Sequence, residues 1–187
     1  MNIKSYLTES DPYKKCPEFE TEHFTLRLVS ENDAEDLLSC YTDIKSWEIF
    51  NSDYCTSDFR YISSENMTDC IKSWLDAYRN GGFIRFSIID RKNQKAVGTV
   101  EMFGDTDFIN GQSGGVLRID IASIYETKEY ISEIISLADE RFFAIFNVKF
   151  IVTKAVPTAK ERIAALSAAG YKPFDWESGR EYYYIKG

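Results

Sequence analysis

The sequence is short of the residues that many functions need. It has one histidine, His23, and four widely spaced cysteines, Cys16, Cys40, Cys55 and Cys70, with no C-x-x-C pair among them. That is poor material for a zinc site, so no metal is expected. The same unpaired cysteines suit reduced thiols in a cytoplasmic setting, with Cys40 and Cys70 falling on apolar helical faces as small core residues. Basic charge is also scarce. Lys and Arg number 22 against 30 Asp and Glu, a net charge of −8, and no basic cluster is longer than Lys14-Lys15 or Arg91-Lys92. Nucleic acid and anionic membrane surfaces are therefore disfavoured as partners, because both demand a concentrated cationic face. No uncharged stretch exceeds ten residues, far short of the ~18 needed to cross a bilayer. The start, "MNIKSYLTES", lacks the apolar run of a secretion signal.

The 187 residues that remain to be explained are 44% hydrophobic and 15% aromatic, enough for one domain with a sizeable core. Residues 1–18 read as a polar N-terminal arm, and residues 19–187 as the domain proper.

"HFTLRLV" (His23 to Val29) alternates as a strand does, and Ser30 in the following "SEND" is placed to cap a helix, with Asp33 in its first turn. The segment "TDIKSWEIFNSDYCTSDFRYISS" reads as an irregular aromatic loop. A helix is clearest where Met67, Cys70, Ile71, Trp74, Leu75 and Tyr78 share one face, closed by Gly81-Gly82. "FIRFSIID" and "AVGTVEMFG" read as strands joined by a turn at "RKNQK". "DTDFINGQSGG" is expected to be a polar loop. "VLRIDIAS" is a further strand, with Leu117, Ile119 and Ile121 on one face and Arg118 and Asp120 on the other. A helix burying Tyr130, Ile131, Ile134, Ile135, Ala138, Phe142 and Ile145 follows, then the strand "KFIVTKAV". Pro157 is expected in the first turn of the helix "TAKERIAALSAA", with Gly170 ending it. A hairpin turned at Ser178-Gly179 closes the chain.

Short turns force the middle strands to be antiparallel, whereas the strand–helix–strand from Val116 to Val156 calls for a right-handed parallel crossover. The expected fold is α+β: a single domain with a mixed, twisted sheet of about six to seven strands and helices on both faces.

Three stretches, "FETEHFTLRLVSENDAEDLLSCYTD", "FSIIDRKNQKAVGTVEMFG" and "ERIAALSAAGYKPF", resemble in this order the opening strand and helix, the central hairpin, and the last helix with its Gly-aromatic close in the GCN5-related N-acetyltransferase (GNAT) superfamily. Within it, the chain is similar to the branch that acetylates protein N-termini such as those of ribosomal proteins. The resemblance spans Phe19 to Lys186 and implies acetyl-CoA as co-substrate and an amine, on a small molecule or a peptide, as acceptor.

In that family an Arg/Gln-x-x-Gly-x-Gly/Ala loop presents its amides to the coenzyme's pyrophosphate at a helix N-terminus. Here the corresponding residues are Glu126-Thr127-Lys128-Glu129, with no glycine. Acidic residues there satisfy the helix dipole themselves, so Glu126 and Glu129 read as replacing the anion. Lys128 is the local cation that remains, with Lys154 or Lys160 further off. The resemblance also places a V-shaped slot between Val116–Ser123 and Phe150–Val156, where backbone groups of Ile121, Ala122 and Ser123 would hold the thioester arm. Two carboxylates that interrupt apolar strands, Glu101 and Asp120, are the candidate general bases, against the plainer reading that each lies on a solvent-facing strand surface. The family's Asn and Tyr on the last helix are missing. Tyr171 sits at the Gly-aromatic packing position and Ser167 is the nearest hydroxyl.

Trp47, Phe50 and Tyr54 are expected either to line the acceptor pocket or to pack the early helices on the sheet. The run Tyr182-Tyr183-Tyr184 reads as a strand or as a homodimer contact. Three functions stay open: an acyltransferase with an altered coenzyme loop, a GNAT-fold binding or regulatory module without coenzyme, and an unrelated α+β ligand-binding domain.

Overall fold

A computed structural model describes residues 11–53, 55, 60–176 and 180–187. Its centre is an eight-stranded mixed sheet in the order β1-β2-β3-β4-β5-β6-β8-β7. The strands are β1 (Phe19–Glu20), β2 (Phe24–Leu28), β3 (Ile84–Asp90), β4 (Lys95–Ile109), β5 (Gln112–Ile121), β6 (Phe150–Lys154), β7 (Lys172–Phe174) and β8 (Tyr183–Lys186). Five helices accompany them: α1 (Ala34–Tyr41), α2 (Ile44–Trp47), α3 (Ser64–Arg79), α4 (Lys128–Ile145) and α5 (Lys160–Ala168). Among the described residues only β5 and β6 pair in parallel; every other neighbouring pair is antiparallel.

The expected architecture is present, with β1 and the short α2 added to the order read from the sequence. β1 is two residues long and α2 is four, too little for a periodic signal. The "DTDFINGQSGG" segment is not a loop. β4 and β5 continue through it as a long hairpin, turned at Asn110-Gly111 with φ of 53° and 74°. Two consecutive positive-φ residues, Asn then Gly, are what a two-residue type I′ turn requires. Pro157 also differs from expectation: it lies before α5, whose first residue is Lys160. Gly170 ends α5 as read, at φ +88°. The turn at Ser178-Gly179 lies outside the described residues, but the β7–β8 hairpin it would close is formed.

The sheet's two faces differ in chemistry. One carries Phe24, Leu26, Phe86, Ile88, Val100, Met102, Leu117, Ile119 and Ile121 against Ile131, Ile134, Ile135, Ala138 and Phe142 of α4, all buried. Phe142 stacks on Phe86 with ring centroids 5.6 Å apart. The other face is covered by α1 and α3 through Leu37, Cys40, Tyr41, Met67, Ile71 and Trp74. On that face β3, β4 and β5 contribute Arg85, Ser87, Thr99, Glu101 and Asp120, all buried. The buried polar and charged residues of the sheet therefore lie under α1 and α3, not under α4.

The His23 side chain reaches across to α4. Glu133 accepts both the His23 backbone N–H (2.7 Å) and its Nδ1 (2.8 Å). This pair holds the β2 edge to the helix face.

Two measurements check this packing. Phe142→Ala removes a ring that is 1% exposed, and urea denaturation is expected to show a loss of about 3–5 kcal/mol. The His23–Glu133 pair sets a pH window. The Glu133 hydrogen bond raises the His23 pKa above 6.5, so that residue's contribution is full below 6.5 and fades as pH climbs through the raised value. Glu133 is lowered from 4.5: burial opposes this, but hydrogen bonds from Thr21 and His23 outweigh it. Its contribution is present above 4.5 and fades as pH falls through the lowered value. The melting temperature of wild type minus that of Glu133→Gln is expected to be largest between these limits and to shrink above neutral pH.

Candidate active site

β6 pairs with β5 only from Gly114↔Phe150 to Leu117↔Thr153. From Arg118 to Ile121, β5 keeps β4 as its neighbour and has no strand on its other side. Gly98 on β4 is one physical reason. A Cβ there would lie 2.3 Å from the Asp120 carbonyl oxygen and 2.7 Å from the Ile121 Cα. Only glycine lets β5 lean onto β4 at the residues where β6 leaves it.

The register decides which amides face the opening. Ala122 N–H donates to Val97 O (2.9 Å) while Ile121 pairs with Gly98, which makes Gly98↔Ile121 a non-hydrogen-bonded antiparallel pair. The Ile121 N–H and C=O therefore point away from β4, toward the opening. Ala122 is held by the β4 ladder, and Ser123 N–H donates to Asp43 Oδ2 (2.8 Å). Of the three backbone positions expected to hold a thioester arm, Ile121 alone presents its amide there.

On the α1/α3 side of this opening lies a buried charge cluster. Arg85, 2% exposed, pairs with Glu101 through Nη2 and with Asp120 through Nη1 at 3.2 Å. Its guanidinium also stacks on Trp74, 4.2 Å from the ring centre. Arg118 supplies a second cation to Glu101 at 2.9 Å. Tyr41, wholly buried, donates to Asp120 Oδ2 (3.1 Å) and lies 2.9 Å from Thr99 Oγ1. Two carboxylates and two guanidiniums thus balance. Neither Glu101 nor Asp120 faces solvent.

Their surroundings are unequal. Glu101 is gripped by two guanidiniums, whereas Asp120 keeps one oxygen, Oδ1, buried and without a hydrogen bond. Burial raises the Asp120 pKa above the ordinary carboxylate value, with the charges of Arg85 and Arg162 opposing. Arg162 comes from α5, so its influence on Asp120 links the two sides of the sheet at the opening.

Beyond Arg118 the cluster continues outward. Arg118 Nη2 donates to the Asp53 backbone carbonyl (2.8 Å). Lys154 at the end of β6 pairs with Asp53 Oδ1 (2.7 Å), and Tyr183 donates to Asp53 Oδ2 (3.0 Å). Burial pushes the Tyr183 hydroxyl up to about 12, which keeps it a donor. Trp47 and Phe50 serve packing: Trp47 Nε1 donates to Tyr41 O (2.5 Å) and Phe50 lies against the Tyr41 ring. Tyr54 lies outside the described residues. Tyr171 packs, donating to Asp139 (3.0 Å), and Ser167 is exposed.

On the α4 side, a short 3-10 turn (Ser123–Tyr125) leads into the helix that would meet a pyrophosphate. Its amides already have partners. Glu126 N–H donates to Ser123 O (3.2 Å) and Thr127 N–H to Tyr125 O (2.8 Å). Lys128 N–H donates to Glu161 Oε2 of α5 (2.9 Å), and Tyr130 N–H to Thr127 Oγ1 (3.4 Å). Glu126 forms a two-bond ion pair with Arg162, 2.8 and 2.7 Å, with both side chains buried. The anion that meets this helix end is therefore Glu161, from another helix, while Glu126 is turned onto Arg162 and Glu129 is exposed. The Lys128 side chain is exposed as well. The helix end, with these amides and Arg162 engaged, does not fit a pyrophosphate.

Arg85, Tyr41, Asp53, Glu161 and Arg162 were not singled out from the sequence, and Tyr183 was read there only as part of a strand or a homodimer contact. Arg85 was the recoverable one, a charge interrupting an apolar strand and placed opposite Glu101 by the hairpin register.

No family model matches the chain, and no curated protein matches it. Solved structures do. The ribosomal-protein-S5-alanine acetyltransferase of Vibrio fischeri is similar at TM-score 0.67 and 16% identity, over 90% of this chain and 93% of that one. A GNAT-family acetyltransferase of Bacillus anthracis reaches TM-score 0.65 at 14% identity, over 91% and 98%. FdhC, a nucleotide-linked sugar GNAT, reaches 0.67 at 20%, over 91% and 89%. The fold is that of the GNAT acetyltransferases.

Replacing Arg85 tests the charge cluster. Arg85→Met leaves two buried carboxylates with one cation, and a stability loss of about 3–5 kcal/mol is expected in urea denaturation.

Proposed function

We propose that this chain is an N-acyltransferase that moves an acetyl group from a thioester to an amine of a small molecule or a protein N-terminus. The observation that carries the reading is the parting of β5 from β6 beyond Leu117, with the Ile121 amide turned toward the side that β6 leaves and Asp120 on the same stretch of β5. The similarity to solved acetyltransferases over nine-tenths of the chain supports it. Acetyl-CoA is the donor that the fold's relatives suggest.

The chemistry assigned to the residues is simple. The acceptor amine enters from the α1/α3 side, past Asp53, Lys154 and Tyr183. It loses a proton to Asp120, directly or through a water at Oδ1. Its nitrogen bonds to the thioester carbonyl carbon while the Ile121 N–H stabilises the developing oxyanion. The C–S bond then breaks, and the departing thiolate takes a proton from water. Glu101 holds Arg85 and Arg118 in place and does not act as base.

A binding module without donor is the second reading, favoured by the Lys128 and Tyr130 amides of α4's first turn already having partners. An assay of thiol release with acetyl-CoA, using peptides that begin with alanine or serine and a panel of small amines, separates the two. Release is expected with at least one amine, rising with pH through the raised Asp120 pKa. Asp120→Asn is expected to lower turnover by about 10²–10⁴-fold, while its melting curve shows the fold retained. No thiol release with any amine, and no melting shift with any thioester, would establish the binding module instead.

A further inference from the structure

We infer that this protein recognises its acyl donor without a diphosphate, so that its substrate class is an acyl thioester on a pantetheine-like arm, to whose binding an adenosine diphosphate adds nothing. The inference rests on the acyltransferase reading and narrows its donor.

Four consecutive or near-consecutive amides at the mouth of the opening, those of Glu126, Thr127, Lys128 and Tyr130, all donate to acceptors within the chain. A diphosphate arriving there finds these four N–H groups already engaged, and convergent free N–H groups are what make a helix N-terminus an anion site. The Lys128 amide is held by a carboxylate, so the helix end already carries its negative charge.

The nearest strong cation is also occupied. Arg162 is 2% exposed and fixed by two hydrogen bonds to Glu126, itself 7% exposed at the side chain. Freeing Arg162 for a phosphate would strand a buried carboxylate. Around the mouth stand Glu126, Glu129 and Glu161 against Arg162, Lys128 and Lys160, a balance that further negative charge would upset. Thr127 sits at φ −113° in extended backbone, where a phosphate-wrapping turn would call for glycine. Apart from the charge of Arg162, which reaches Asp120, these features lie at the helix end, and the Ile121 amide stays turned toward the side that β6 leaves.

Isothermal titration of the full chain with acetyl-CoA, S-acetylpantetheine and adenosine 3′,5′-diphosphate tests this, with melting shifts as a second readout. Acetyl-CoA and S-acetylpantetheine are expected to bind within about threefold of each other, and adenosine 3′,5′-diphosphate to produce neither heat nor shift. Acetyl-CoA binding about tenfold or more tighter than S-acetylpantetheine would overturn the inference and leave the acyltransferase reading intact. Binding of neither thioester would overturn both.

Discussion

The architecture turns on a single constraint: one strand cannot stay close to both neighbours. β5 is drawn onto β4 where Gly98 offers no side chain to hold it off. It loses β6 over the same residues. Backbone groups that β6 would otherwise satisfy lose that partner beyond Leu117, a state that buried amides avoid unless something else meets it. A gap between parallel strands in the middle of a sheet is therefore a place where a ligand with its own hydrogen-bonding atoms can substitute for a strand. The chain commits Arg118, Asp120 and Ile121 to that stretch, and the parting gives each of them a distinct role.

Charge placement beneath α1 and α3 follows from burial. Two carboxylates placed in a water-poor interior would be protonated or would unfold it. Arg85 and Arg118 prevent this by sharing Glu101 between them, and Arg85 extends a second contact to Asp120. The sharing is uneven: Glu101 is held by two guanidiniums and Asp120 meets one. A carboxylate with a lone oxygen free of hydrogen bonds, and a pKa pushed upward by burial, is suited to take a proton.

The α4 end shows a different resolution of the same kind of problem. A helix N-terminus carries partial positive charge and unsatisfied amides. In a nucleotide-binding relative of the fold, glycines and a bound phosphate would meet that need. Here α5 approaches closely enough for Glu161 to do so, and Arg162 and Glu126 lock the two helices together. Stability at this end comes from within the chain.

The sequence by itself determined the order of elements, the apolar face of α4, the caps at Ser30 and Gly170, and the acidic, glycine-free turn before α4, because periodicity and local backbone preference act over a few residues. It also marked Glu101 and Asp120, since a charge in an apolar strand is conspicuous wherever that strand lies. It did not reveal the Asn110-Gly111 hairpin, whose turn signal was hidden inside a polar stretch. Nor did it show that Arg85 faces Glu101, that Glu161 reaches Lys128, or that Arg162 reaches Glu126. Those pairings join residues 16, 33 and 36 positions apart. Only the tertiary structure decided them, because the free energy of a buried charge depends on which opposite charge the fold brings within a few ångströms, and no local pattern encodes that distance.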